Sequence, residues 1–168
     1  MLHRSSWAGR NCAALLASAT LTATGALAIA APSSAKTTGR AATGGGKTVF
    51  VVEHAITDTE QPLRPGGKDE PGDILTFTNP VFNQANTTQV GHDEGFCTRL
   101  NVSNGVWECL WTTFLKGGQL TVQGPYYDHK NSTLSITGGT GAYQGASGEM
   151  NLNAKDGGKE YDFIFHLQ

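Results

Sequence analysis

The side chains that could do chemistry here are few: one carboxylate at the end of an apolar strand, two cysteines and scattered histidines. Glu53 closes the run Thr48-Val49-Phe50-Val51-Val52 and is preceded by no acid in residues 1–52. A carboxylate on such a strand is costly to bury unless it is partnered or used. Without a chemical role it would cap the strand end or meet Arg99. Cys97 and Cys109 stand on the two arms of a hairpin turning near Asn104. In a secreted domain a pair this close is most simply a disulfide, worth roughly 2–3 kcal/mol on the chain-entropy account. His54, His92, His129 and His166 lack metal-ligand spacing, and with Asp93-Glu94 they are expected on solvated loops. Gly138-Gly139-Thr140-Gly141 is no phosphate cradle, since no Gly-Lys-Ser/Thr follows and no helix begins there. No serine sits in a nucleophile elbow, so hydrolase chemistry has no support. Asn86, Asn101 and Asn131 satisfy the N-glycosylation pattern, which matters only in a eukaryotic secretory pathway.

The elements that must position these groups are strands. Apolar residues recur every second position, as in Leu120/Val122, Leu134/Ile136 and Met150/Leu152, and 22 glycines are spread too evenly for amphipathic helices. Candidate strands are Thr48–Ala55, Ile74–Phe82, Thr87–His92, Phe96–Val102, Val106–Leu115, Gln119–Tyr126, Ser132–Thr137, Ala142–Asn153 and Glu160–Leu167. Asn104-Gly105 and Gly117-Gly118 mark hairpins. Eight or nine short strands in one domain predict an all-β fold, a single closed antiparallel barrel of about eight strands, with a two-sheet sandwich as the alternative. Leu75, Phe77 and Asn79 share one parity and should face one side. The first strand is apolar on both faces between Val49 and Val52, so something should cover its outer face.

Outside the barrel, assigned to residues 47–168, the ends read differently. Residues 1–30 combine Arg4 and Arg10 with an Ala/Leu/Thr-rich run and a small-x-small site at Ala28-Ile29-Ala30, the pattern of a secretory signal. A plastid transit peptide is the alternative; stable membrane insertion is not expected. Residues 31–46 read as a flexible linker. Without Arg4 and Arg10, ten basic groups face fourteen acidic ones, a net charge of −4, so nucleic acid is not an expected partner.

The block Leu120–Leu152, with GDILTFTN at Gly72–Asn79 and GFC at Gly95–Cys97, resembles the allene oxide cyclase barrel family, and more faintly the dirigent proteins. The resemblance spans Thr48 to Leu167. Further matches are the eighteen-residue step from Asn79 to Cys97, Pro62 nine residues after Glu53, and Tyr126 ending Gly-Pro-Tyr. It implies a homotrimer whose barrels each hold a small hydrophobic ligand, with Glu53 catalytic and Leu75, Phe77, Asn79, Tyr126 and Pro62 binding substrate. In those cyclases the carboxylate stabilises positive charge as an allylic epoxide opens, a held water binds the epoxide oxygen, and no cofactor or metal is needed. Ala55 and Gln61 stand where the family has water-holding asparagine and serine, and a Cys97–Cys109 bridge would change the pocket wall. The implied function is a secreted isomerase or cyclase; the alternatives are a dirigent-like carrier without bond chemistry, or an interaction domain packed solid.

Overall fold

The computed structural model describes residues 46–168. The expected signal over residues 1–30, and all but the last residue of the expected linker, lie outside the described residues. Nine strands follow in chain order: β1 Lys47–His54, β2 Thr59–Gln61, β3 Ile74–Asn83, β4 Gln89–Asn101, β5 Val106–Leu115, β6 Gly118–Tyr127, β7 Ser132–Gly141, β8 Gly148–Lys155 and β9 Glu160–Leu167. From β3 to β9 each strand pairs antiparallel with the next. β9 then pairs along the whole of β1, and β1 meets β3 from Val51 to Glu53. The sheet thereby closes into an eight-stranded antiparallel barrel, leaving no long free edge. The short β2 is additional and pairs with Ile74–Thr76, the part of β3 that β1 does not reach.

Period-two patterning decides what enters the barrel. On β5, Trp107, Cys109, Trp111 and Thr113 are buried, and on β9 Tyr161, Phe163 and Phe165 are. Each large apolar side chain so enclosed contributes about 1.5–3 kcal/mol, so a register slip of one residue would expose the whole set.

The expected breaks in this pattern differ from the observed ones at three places. Thr87–His92 and Phe96–Val102 are one strand, β4, because Asp93-Glu94-Gly95 continues the ladder opposite Trp111–Thr113. Asp93 is therefore fully buried, not on a solvated loop. A Cβ on Gly95 would lie 2.3 Å from that of Trp111, so this glycine admits the indole rather than making a turn. Second, β8 begins only at Gly148, while β7 runs on to Gly141. Third, His54, His92 and His166 sit on β1, β4 and β9. His92 stacks on Phe114 at 4.6 Å, and His54 stacks on Phe82 at 4.1 Å.

The outer face of β1 is partly covered by the chain itself. Val52 lies opposite Phe82 and is fully buried. The turn after β3 returns Asn86 to accept at Oδ1 a hydrogen bond from His54 Nε2, 2.7 Å away, and to donate from Nδ2 to Glu160. Arg99 does not reach Glu53. Its guanidinium lies over Trp107, donates from Nε to Asp69 at 3.0 Å, and pairs with Asp128 at 2.6 Å. That cluster ties the segment between β2 and β3, and the β6–β7 turn, to one end of the barrel.

Cys97 and Cys109 are direct cross-strand partners joined by a disulfide, with Cα atoms 4.0 Å apart. Titration of the denatured full chain without reductant should find one thiol, Cys12, of its three cysteines; three would overturn the bridge. Replacing both bridged cysteines by serine should lower unfolding stability by about 2–3 kcal/mol, read from urea midpoints.

Candidate active site

Inside the barrel, toward the end where β1 stops, a cavity of about 50 Å³ remains. Its walls are apolar and aromatic: Leu75, Phe77, Trp111, Tyr126, Leu152, Tyr161 and Phe163, with the disulfide forming one side. Phe77 meets Trp111 edge-on at 6.0 Å, and Trp111 lies 5.4 Å from Phe163. Such contacts hold ring faces around a small space. Two carboxyl groups, Glu53 and Asp58, open onto it. The space takes a few waters and is far below the several hundred Å³ typical of ligand pockets.

Glu53 is the last inward residue of β1 and only 4 % exposed. Its Oε1 accepts from Asn79 Nδ2 at 2.7 Å, and the same amide nitrogen donates to Asp58 Oδ1 at 2.7 Å. Asn79 Oδ1 in turn accepts from the backbone N–H groups of Ile56 and Thr57, each at 2.9 Å. Every polar valence of Asn79 is thus occupied by the protein. It ties the segment after β1 to the barrel and fixes the rotamer of Glu53. No hydrogen bond engages Glu53 Oε2 among the described residues, which leaves that oxygen to the cavity.

Behind this pair lies Asp93, which accepts from the Asn79 backbone N–H at 3.2 Å through Oδ1, while its buried Oδ2 has no partner. Burial pushes the Glu53 carboxyl well above the ordinary glutamate range, and the neighbouring Asp93 adds to the rise; the Asn79 hydrogen bond opposes it. Burial likewise raises Asp93 to about 8. Two carboxyls this enclosed cannot both carry charge at low cost. Burial also raises the Tyr126 and Tyr161 hydroxyls, so both remain donors. Among the described residues no group of His, Cys, Asp and Glu is arranged to hold a metal ion.

Of the residues singled out from sequence, Glu53, Leu75, Phe77, Cys97, Cys109 and Tyr126 line the cavity. Asn79 stands behind Glu53 instead of at the wall. Pro62 follows β2 on an exposed segment and is not brought to the cavity. Sequence reasoning missed Asp58, Asp93, Trp111, Leu152, Tyr161 and Phe163. Parity could have found two: Asp93 is four residues before Cys97 and Trp111 two after Cys109, each on the same strand face.

The raised Asp93 carboxyl makes stability depend on pH with a defined sign. Between the unfolded value of about 4 and the folded value of about 8, the native state holds a proton the unfolded chain has lost. Stability should therefore fall as pH rises through that window. Asp73, lowered by the N–H groups of Leu63 and Glu70, acts in the opposite sense but only below the ordinary aspartate range. Urea midpoints should be higher at pH 5 than at pH 8, with the gap narrowed in Asp93→Asn. A midpoint that is higher at pH 8 would contradict the assignment.

Comparisons with known proteins bear on the fold and the family. Solved structures with the same architecture include a pyocyanin demethylase, 25 % identical with a TM-score of 0.63, covering 73 % of this chain and all of that one. A pterocarpan synthase dirigent protein is 19 % identical with a TM-score of 0.59, covering 73 % of this chain and 96 % of that one. An exo-specific intermolecular Diels-Alderase is 14 % identical with a TM-score of 0.59, covering 74 % and 98 %. The last two show the shared fold alone. Residues 47–158 match the sequence profile described as allene oxide cyclase, and the chain belongs to that family.

Proposed function

We propose that the barrel is a cofactor-independent isomerase or cyclase for a small, apolar, unsaturated substrate, with Glu53 as its proton donor. The observation that carries this reading is the Glu53 carboxyl: buried, oriented by Asn79, raised well above its ordinary pKa, and with one oxygen free at an aromatic cavity. A group held this way keeps its proton where an ordinary glutamate has lost it. In an epoxide with an exocyclic double bond on one ring carbon and a further double bond conjugated to it, Glu53 donates that proton to the ring oxygen as the C–O bond to the other ring carbon breaks. The carboxylate left behind and the faces of Phe77 and Trp111 stabilise the allylic cation. Carbon–carbon ring closure shifts the positive charge onto the carbon that bears the hydroxyl, and return of the hydroxyl proton to the Glu53 carboxylate leaves a neutral ketone. Atoms balance as an isomerisation. The cavity adds orientation and excludes water.

A binding-only, dirigent-like role is the second reading, favoured by one observation. Asn79 is saturated by protein groups, Ala55 packs against the core, and Gln61 is exposed, so none of these three positions offers a free group for the family's water. Glu53→Gln separates the readings. With allylic epoxides followed by chromatography, turnover should fall by about tenfold to a thousandfold while binding persists. Unchanged turnover would remove Glu53 as donor, and absence of turnover in the unmodified protein across such substrates would favour the carrier.

The disulfide supports an oxidising destination, in keeping with export. Association as a homotrimer is likewise part of the proposal, through the outer face of β4 and β5 more than β1. Phe96 lies opposite Leu110 there, 47 % and 38 % exposed, with Leu100 nearby at 53 %. A patch of this kind is a candidate interface. Light scattering should give about three times the chain mass, and a monomer at micromolar concentration would refute it.

A further inference from the structure

The end of the barrel that holds Glu53 carries a second space. An open cleft of about 630 Å³ lies between the β6–β7 turn and the β8–β9 turn, edged by His129, Lys130, Ala154 and Asp156. Tyr126 and Tyr161 line both this cleft and the inner cavity. Their hydroxyls are hydrogen-bonded at 2.9 Å, with the rings edge-to-face at 6.0 Å. β6 and β9 are separated in the sheet by β7 and β8, so this bond crosses the barrel mouth instead of joining neighbouring strands. It is a single bond between neutral groups, weak enough to open thermally. On the β9 side the hydroxyl lies against Gly158, where a Cβ would stand 3.2 Å from it; Gly157 and Gly158 both have positive φ, at 66° and 85°. The missing side chain at Gly158 is thus what lets the Tyr161 hydroxyl sit against this turn.

We propose that the site has two chambers joined by a Tyr126–Tyr161 gate, and that its substrate is a planar unsaturated ring or chain bearing one polar substituent. The apolar part passes the gate into the inner cavity, and the polar substituent stays in the cleft. The inner cavity alone holds only a small part of such a molecule, whereas the two spaces joined at the tyrosines give room for the rest. The cleft mixes Lys130 and Lys155 with Asp128 and Asp156, which favours an uncharged hydrogen-bonding substituent over a free anion. This rests on the inner cavity being a substrate site, but not on proton transfer by Glu53.

Stopped-flow fluorescence with 2-naphthol, a planar ring bearing one hydroxyl, tests the gate on the full chain. Tyr161→Phe keeps the ring and removes the bond. Association and dissociation should both speed up at least about threefold with the Kd nearly unchanged, since a gate acts on rates. Ala154→Trp, at an exposed position in the cleft, should slow association by about tenfold or more. These readouts are binding rates and involve no turnover, so a failed donor assignment and a failed gate are distinguishable. Equal rates in the unmodified protein, Tyr161→Phe and Ala154→Trp would overturn the gate, as would no uptake of 2-naphthol by the unmodified protein and Tyr161→Phe alike.

Discussion

A carboxyl group placed inside a β-barrel must be neutralised or paired, and the hydrogen bond from Asn79 to Glu53 decides how this barrel meets that constraint. The Arg99 guanidinium is committed to Asp69 and Asp128. Glu53 instead receives a neutral amide, which fixes its rotamer without supplying a positive charge. The same amide oxygen gathers the Ile56 and Thr57 N–H groups, so one side chain both closes the segment after β1 and aims the acid. Asp93 behind it adds a second buried carboxyl, and each disfavours ionisation of the other. The result is an acid held in reserve beside aromatic walls.

The remaining interior serves to keep that acid dry. Gly95 gives up its side chain so that Trp111 can lie across β4, and the disulfide occupies the next rung but one, on the same face of the ladder. Phe163 and Leu152 fill the far wall. Little space survives, and the low dielectric this creates strengthens each polar interaction inside it. It also makes access a matter of side-chain movement at the mouth, where two tyrosines meet.

Much of the fold was legible because strand patterning is local. Alternation at Leu120/Val122 and Leu134/Ile136 placed inner faces, and the parity of Leu75, Phe77 and Asn79 placed all three inward. The cysteine pairing followed from two arms of one hairpin. What was not legible depended on long-range burial. Asp93-Glu94-Gly95 has the composition of a loop, and only the pairing of β4 with β5 turns it into mid-strand. Tyr161 and Phe163 lie over a hundred residues from Glu53 in sequence and reach it only because β9 closes the barrel against β1. Pro62 matched a family spacing, yet the segment after β2 carries it to the surface.

The central claim is that Glu53 keeps its proton well above the pH at which an ordinary glutamate loses it, and its carboxyl carbon can report this directly. A ¹³C NMR titration of glutamate-labelled protein, with Glu53→Gln to assign the resonance, would follow that one group. The expected result is a Glu53 signal that titrates well above the other glutamates. A Glu53 carboxyl that ionises near about 4.3, as an ordinary glutamate does, would contradict it.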